Sequence, residues 1–157
     1  MAIYMQVDGI SGSVTTQGFQ NWIELSSFQW GMSRPIGAVR GSTGREASNP
    51  TIGEIHVTKR GDASSVGLLD YALAGNLDKK FTISFTVASG ATLRQFLKYE
   101  LENVGLSQLS VNSDGDIPVE SLSLNFTKIT GTFTPLEPGS SGQPQTVGYD
   151  LTTMRKV

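Results

Sequence analysis

The chain has 157 residues, enough for one domain with its own hydrophobic core, and its 12 basic and 14 acidic residues leave a formal net charge of −2. That balance excludes the strongly basic surface of nucleic-acid-binding domains, so we expect neither DNA nor RNA as a partner. Cysteine is absent, which excludes disulfide bonds, thiolate nucleophiles and thiolate metal sites. Charged residues make up only 17% of the chain, and a surface made polar by neutral groups suits contact with other proteins, because such groups cost less to desolvate.

The N-terminal residues lack the features of a signal peptide. The segment Met1–Asp8 has neither a basic start nor an apolar run after it. Elsewhere no apolar stretch approaches the roughly 18 residues that a membrane-spanning helix needs. We therefore expect no membrane insertion, and we expect any export to depend on something other than a leader.

The first third of the chain is predicted to form strands that flank one long loop. Apolar residues alternate with polar ones over residues 3–7, which predicts a half-buried strand. Within residues 21–30 the apolar phase changes near Ser26 and Ser27, as an inserted residue in a β-bulge would cause. Residues 32–53 show no period and form an extended loop with an excess of arginine, before a short strand at 54–58.

One helix is predicted, at about residues 64–75. Asp62 or Ser64 can cap its first turn, and Gly75 supplies a stop. The spacing of Val66, Leu69 and Leu73 places these three side chains on one face of the helix.

The second half of the chain returns to strand patterns. Alternation is cleanest over residues 81–87, and residues 119–135 repeat the phase slip of a bulged strand, which is typical of barrels. Residues 93–104 fit a helical period slightly better than a strand period. Two further short strands are predicted at 106–111 and 147–151. A spacer rich in proline, glycine and serine is predicted between them, at 137–145.

Tests for catalytic and metal chemistry find no coherent constellation. His56 is the only histidine, and its place between Ile55 and Val57 puts it on the polar face of a strand. Glu100 and Glu102 share one strand face, as an acid/base pair might. A solvated surface is the simpler interpretation of these two carboxylates. Residues 112–116 (NSDGD) resemble the start of a calcium loop, but the glycine comes two positions too early, which favours a turn. The two tryptophans are predicted to be core. We expect no enzyme activity, no cofactor and no metal.

Four segments, in this order, carry a family resemblance: WIELSSFQWG at 22–31, IHVTKRGDASS at 55–65, LKYELENV at 97–104 and ESLSLNFTKI at 120–129. Together with the long glycine-rich loop between the first two, they resemble the haemolysin-coregulated protein (Hcp) family, the tube protein of type VI secretion. That family commonly has proline where this chain has Ser65. The resemblance implies a strand, and not a helix, at residues 93–104.

The resemblance implies an all-β fold with one short helix, in which residues 1–157 form a single β-barrel of two packed sheets with a long extended loop. It further implies that six copies form a ring, and that rings stack into a tube which a contracting sheath propels out of the bacterium. The implied partners are other copies of the chain, the sheath, baseplate and spike proteins, and effectors carried in the lumen. The chain would be assembled in the cytoplasm and then secreted without a signal peptide.

Two sets of residues are candidates for contacts in such a tube. The basic loop is expected to meet carboxylates of an adjacent protomer. Its cations are Arg34, Arg40 and Arg45, and the expected acidic partners are Asp114, Asp116 and Glu120. Neutral polar residues opposite the apolar strand faces are candidates for the lumen lining or the outer surface. These are Thr82, Ser84, Thr86, Ser121, Ser123 and Asn125.

Two other protein classes remain compatible with the sequence. A tail-tube protein of a contractile phage or phage-derived injection particle would share the barrel and the ring. A stand-alone barrel that binds a small ligand would instead be a monomer with an apolar cavity. Rings seen in negative stain separate the first two classes from the third.

Overall fold

The computed structural model describes residues 1–37, 47–136 and 143–157, and over these ranges the protein is almost entirely β-structure. The strands are β1 (Ala2–Val7), β2 (Ile23–Gln29), β3 (Met32–Ser33), β4 (Thr51–Ile52), β5 (Ile55–Arg60), β6 (Lys79–Ser89), β7 (Thr92–Asn112), β8 (Val119–Asn125), β9 (Lys128–Phe133), β10 (Gln145–Asp150) and β11 (Arg155–Lys156). One helix, α1, spans Ser65–Ala74. The predicted fold class, all-β with one short helix, is confirmed.

Six strands close into a barrel in the order β7-β6-β1-β2-β5-β8, with β8 pairing back onto β7. The closure depends on β7, which is 21 residues long. Its first half pairs with β6, and its second half, from Gly105 to Asn112, pairs with β8. Asn103 lies between the two halves with a φ of 53°, a left-handed backbone conformation that bends the strand at this point.

The same sheet continues past the barrel. Strand β9 pairs with the first half of β7, with Leu97 opposite Phe133, and β10 and β11 follow in antiparallel order. We call β9, β10 and β11 the extension. Because β7 contributes to both parts, the face of the sheet that lines the barrel core runs on without a break onto the extension.

The barrel interior is filled by apolar side chains that alternate along the strands, as the sequence predicts. The largest fully buried ones include Met5, Ile23, Ile55, Phe81 and Leu101. The predicted bulge in β2 is confirmed, because its register with β5 shifts between Leu25 and Ser27. The shift turns Phe28 inward, where its ring packs against Phe85 and Tyr99 with centroids 5.0 and 5.6 Å away.

Residues 93–104 are strand throughout, so the helical period of this stretch is misleading. The register between β6 and β7 shifts here, because Phe85 pairs with Leu97 and Thr86 with Gln95, which leaves Phe96 as the extra residue of a β-bulge. Phe96 and Leu97 are both partly buried, and the bulge breaks the alternation by which a strand is recognised. The separately predicted strand at 106–111 is the second half of β7.

Helix α1 begins and ends where the sequence predicts, but the side that packs on the barrel is not the one defined by the predicted spacing. The carboxylate of Asp62 accepts a hydrogen bond from the Ser64 N–H at 2.9 Å, and Gly75 ends the helix with a φ of 69°. The buried residues are Leu68 and Tyr71, which lie on another side of the helix from Val66, Leu69 and Leu73.

The face defined by the predicted spacing is not the buried one, because α1 is apolar on two sides. Val66, Leu69 and Leu73 are 77%, 43% and 79% exposed, so they form a ridge on the outer side of the helix. On the inner side the Tyr71 hydroxyl donates a hydrogen bond to the carbonyl of Val104 in β7. Spacing alone cannot decide which of two apolar faces packs on the barrel.

The long loop at 32–53, which we call the arm, has more order than the sequence predicts. Its base is a two-stranded ribbon in which Met32 pairs with Ile52 and Ser33 with Thr51. An isolated bridge between Ile36 and Ala47 continues the ribbon outward. Arg34 lies on the described part of the arm, whereas Arg40 and Arg45 lie outside the described residues, as does most of the spacer at 137–145.

Candidate assembly surfaces

The strand registers define two ends of the barrel. Strand β2 runs toward the arm and β5 runs away from it, so the arm leaves the end at which Gln29 pairs with His56. We call this the arm end. At the other end β5 finishes at Arg60 opposite Val119, and α1 follows a few residues later, so we call it the helix end.

One outer face of the barrel is a continuous polar surface, which we call the polar wall. It comprises the outward-facing residues of β2, β5, β8 and the second half of β7. Most of them are neutral, and they include Ser27, Gln29, Thr58, Gln108, Ser121 and Asn125. The Ser27 and Thr58 hydroxyls are hydrogen bonded at 2.6 Å across β2 and β5. His56 also lies on this wall, exposed as predicted, with its Nδ1 2.8 Å from the Ser123 hydroxyl.

Three of the six predicted polar strand residues are not at the surface. Ser123 lies on the polar wall but is only 5% exposed. Ser84 and Thr86 are fully buried, because the outer face of β6 is covered by other parts of the chain. The Ser84 hydroxyl donates to the Gln95 side chain at 2.5 Å and the Thr86 hydroxyl donates to the Ala2 carbonyl at 2.9 Å. The prediction of surface exposure is wrong for these three.

Three other members of the predicted set keep some exposure. Ser121 and Asn125 are exposed on the polar wall, and Thr82 is partly buried on β6. The outer face of the neighbouring strand β1 is also covered, because Phe19 stacks on Tyr4 with ring centroids 4.9 Å apart. Alternation identifies the polar side of a strand but gives no sign that a loop folds over it.

A buried ion cluster closes the helix end of the barrel. Lys59 follows Ile55 and Val57 on the inner face of β5 and is fully buried. Its ammonium lies 2.5 Å from the Glu120 carboxylate and 3.0 Å from that of Asp62. Sequence reasoning missed the cluster, although the alternation of β5 already places Lys59 inward.

The cluster changes the interpretation of two predicted residues. Glu120 is 4% exposed, so it is committed to Lys59 inside its own chain, and its prediction as a partner for another protomer is wrong. Ser65, which replaces the proline common in the resembled family, donates a hydrogen bond to Glu120 at 2.7 Å. The hydroxyl therefore fastens the first turn of α1 to the barrel.

The other two predicted acids lie on an exposed turn at the helix end. Asp114 and Asp116 belong to the connection between β7 and β8, and both are exposed. Gly115 has a φ of 106°, and Asp116 accepts a hydrogen bond from the Ile117 N–H at 2.7 Å, so residues 112–116 form a turn, as predicted. Among residues 1–37, 47–136 and 143–157, no three His, Asp or Glu side chains are grouped as a metal site would need.

Glu100 and Glu102 are held in separate ion pairs and do not face a common pocket. Burial opposes ionisation of Glu100, but the hydrogen bond from Lys80 and the charges of Lys98 and Lys80 outweigh it and lower the pKa of Glu100. Lys80 lies 3.1 Å from Glu100, and Lys128 lies 3.9 Å from Glu102. The solvated surface predicted for this pair agrees with their partial exposure.

An apolar groove of about 490 Å³ lies where the base of the arm faces the extension. Its floor is the core face of the sheet, which continues here past the barrel. Apolar and aromatic residues form most of its lining, among them Trp30, Met32, Pro50, Tyr99, Val147 and Met154. Its charged lining residues, of those that the structure describes, are Arg34 and Lys156. The Trp30 indole is fixed in place because it donates a hydrogen bond to the Gly53 carbonyl at 3.0 Å.

No helix in the described part of the chain is both long and apolar enough to cross a membrane. The barrel, the extension and the arm define an all-β fold class in which the sheet of a closed six-stranded barrel continues past its closure. Within the described residues, nothing groups into a catalytic constellation. This class can be compared directly with known folds.

The sequence profile described as "Type VI secretion system effector, Hcp" matches residues 4–133, and the chain belongs to this family. The resemblance expected from the sequence is thereby confirmed. Hcp proteins are secreted, self-associating tube proteins of type VI secretion and are not known as enzymes. No functionally curated protein matches the sequence.

Solved structures of Hcp proteins share the fold. A structure described as a type six secretion system protein superimposes with a TM-score of 0.88 at 23% identity, over 99% of each chain. Hcp1 from Salmonella typhimurium gives a TM-score of 0.76 at 18% identity over 99% of this chain and 98% of that one. A type VI secretion system effector from Yersinia pestis gives a TM-score of 0.74 at 19% identity, over 94% of this chain and 98% of that one.

Proposed function

We propose that six copies of this chain form a ring, that the rings stack into a tube, and that a contracting sheath expels the tube with effectors in its lumen. The observation that carries the proposal is the placement of charge on one closed barrel. The arm, with Arg34, leaves one end, and the turn with Asp114 and Asp116 lies at the other. Copies stacked in the same orientation bring these opposite charges together.

The stacking contact then joins the arm of one ring to the β7–β8 turn of the next. Arg34 supplies one cation, and Arg40 and Arg45 belong to the same arm in sequence. Glu120 takes no part because Lys59 already holds it. Exposed ion pairs of this kind contribute little affinity each, but they set orientation and are weakened by salt.

The polar wall is the surface best suited to line the lumen. Its hydroxyl and amide side chains keep the surface wet, whereas exposed apolar patches would trap a passing protein. Glu24 and Arg60 are the charged residues on the described strands of the wall, which gives neither sign of charge an excess. Ser121 and Asn125 remain lumen candidates, and Thr82 remains a candidate for the outer surface.

Ring formation is tested on the purified chain by native mass spectrometry and negative-stain imaging. We expect rings of six copies, and stacks of rings at higher concentration. A compact monomer that persists at high concentration would refute the proposal.

The stacking contact is tested separately by replacing Arg34, Arg40 and Arg45 together with alanine. We expect intact rings whose stacking is weakened, and weaker still as salt is raised. A triple lysine variant is the matched control, since it keeps the charge and should keep most of the stacking. Unchanged stacking of the alanine variant across salt concentrations would exclude the arm as the contact.

A tail tube of a contractile phage or phage-derived particle remains the second candidate, since it would share the barrel and the ring. Loss of the protein from culture medium when the type VI sheath is deleted favours the secretion tube. A small-ligand barrel is disfavoured because Met5, Phe81 and Leu101 are fully buried and fill the barrel interior.

A further inference from the structure

Helix α1 and the groove are two apolar surfaces of opposite shape on the same chain. The outer side of α1 is a convex ridge formed by Val66, Leu69 and Leu73, and the groove beside the arm is concave. A helix that is apolar on two sides is usually covered on both, yet in the single chain only the side of Leu68 and Tyr71 is covered. The ridge exposes on the order of a few hundred Å² of apolar surface, the size of patch that marks an interaction site.

The charges around these two surfaces are complementary. From Ala63 to Asp78 the chain carries two acids, Asp70 and Asp78, and no lysine or arginine. Asp70 is exposed and lies one turn from both Val66 and Leu73, so its carboxylate borders the ridge. The described lining of the groove carries the cations Arg34 and Lys156 and no acid.

The two surfaces lie on different parts of the chain. Helix α1 follows the helix end of β5 and is fastened to β7 at Val104 through Tyr71. The groove lies beside the arm and on the extension, and none of the described residues that line it belongs to α1. A ridge and a groove at different places on identical subunits form a head-to-tail contact, which generates rings or stacks and not an isolated dimer.

We propose that α1 of one copy binds in the groove of a neighbouring copy. The ridge of Val66, Leu69 and Leu73 covers the exposed core face between the arm and the extension, and Asp70 faces Lys156. This contact rests on the proposed function, because it assigns one of the surfaces through which the tube subunits associate.

Crosslinking tests the geometry directly, because the chain has no cysteine of its own. A double variant, Leu73→Cys with Val147→Cys, is treated with a short bismaleimide and run on a denaturing gel. Each chain then carries both halves of the contact, so we expect a ladder that continues beyond the dimer. The matched control is Gln108→Cys with Val147→Cys, since Gln108 is exposed on the polar wall and lies outside both surfaces. The control should give no such ladder.

Substitutions test the energetics. Leu73→Glu should raise the apparent dissociation constant of the assembly roughly tenfold or more, because it places a charge in an apolar contact. Gln108→Glu should leave that constant unchanged, because Gln108 lies on the polar wall and outside both surfaces. Leu73 is 79% exposed in the single chain, so the thermal midpoint of the dispersed protein should not move. Asp70→Lys and Lys156→Glu should each weaken association, and the double charge swap should restore it.

The outcomes separate this proposal from the proposed function. Rings that form without the ladder, and that tolerate Leu73→Glu, would overturn the contact and leave the tube function standing. A wild-type chain that stays monomeric would overturn the tube function itself.

Discussion

Neutralising one member of the buried ion cluster should destabilise the fold far more than neutralising an exposed pair. Glu120→Gln keeps the shape of the side chain but leaves the Lys59 ammonium, which is 0% exposed, with Asp62 as its remaining carboxylate. Removing one partner of a buried pair costs about 3–5 kcal/mol, because the other charge stays buried and uncompensated. Since Asp62 remains 3.0 Å away, we expect a loss near the lower limit, about 3 kcal/mol.

Urea denaturation followed by circular dichroism measures this loss. With an m value of about 2 kcal/mol per molar urea, a loss of about 3 kcal/mol lowers the midpoint by about 1.5 M. The measurement belongs in the Leu73→Glu background at low protein concentration, so that subunit association does not add to the apparent stability.

Two further variants make the reasoning refutable. Lys59→Met combined with Glu120→Gln removes the stranded charge, and we expect it to recover most of the loss, as replacement of buried pairs by apolar groups often does. Lys80→Met breaks a pair whose lysine is 46% exposed and should cost less than about 1 kcal/mol. If Glu120→Gln cost no more than Lys80→Met, or the double variant were no better than the single one, the cluster would not fasten the helix end.

Three other predictions concern single positions. Gly12→Ala should destabilise the fold by about 1–3 kcal/mol, because a Cβ there would lie 2.2 Å from the Trp22 carbonyl oxygen, whereas Gly31→Ala, with nothing within 4 Å, should be neutral in the same melt. Tyr71→Phe should cost about 1–2 kcal/mol in urea denaturation, because the carbonyl that its hydroxyl bonds would lose its partner. Because the pKa of Glu100 is lowered, its contribution to stability is complete above its ordinary value of 4.5 and is lost as the pH falls through the lowered one. Glu100→Gln should therefore make the free energy of unfolding less dependent on pH in the acid range. The same pH dependence in the variant and the wild type would contradict this.

Alternation predicted most of the barrel because each strand has one side in the core. The phase change near Ser26 and Ser27 even located the bulge in β2. The same reasoning could not settle α1, where Val66, Leu69 and Leu73 fit a buried face as well as Leu68 and Tyr71 do. When both sides of an element are apolar, spacing cannot say which side meets the core and which meets another molecule.

The exposure of polar residues was predicted less well than that of apolar residues, because the burial of a polar residue depends on partners far away in sequence. The buried hydroxyls of Ser84 and Thr86 donate to the Gln95 side chain and to the Ala2 carbonyl, and the buried Lys59 pairs with Glu120, which lies opposite it in β8. None of these pairings has a local signature. The excess of arginine in the arm and the acids of the β7–β8 turn were visible in sequence, but their positions at opposite ends of the barrel required the strand order.

Strand β7 has a mechanical consequence. Along its 21 residues β7 is hydrogen bonded to β6, β8 and β9. Interstrand hydrogen bonds lie across the strands, so a pull along β7 loads many of them in shear at once and does not peel them apart singly. A subunit built around such a strand therefore resists extension along the direction of β7.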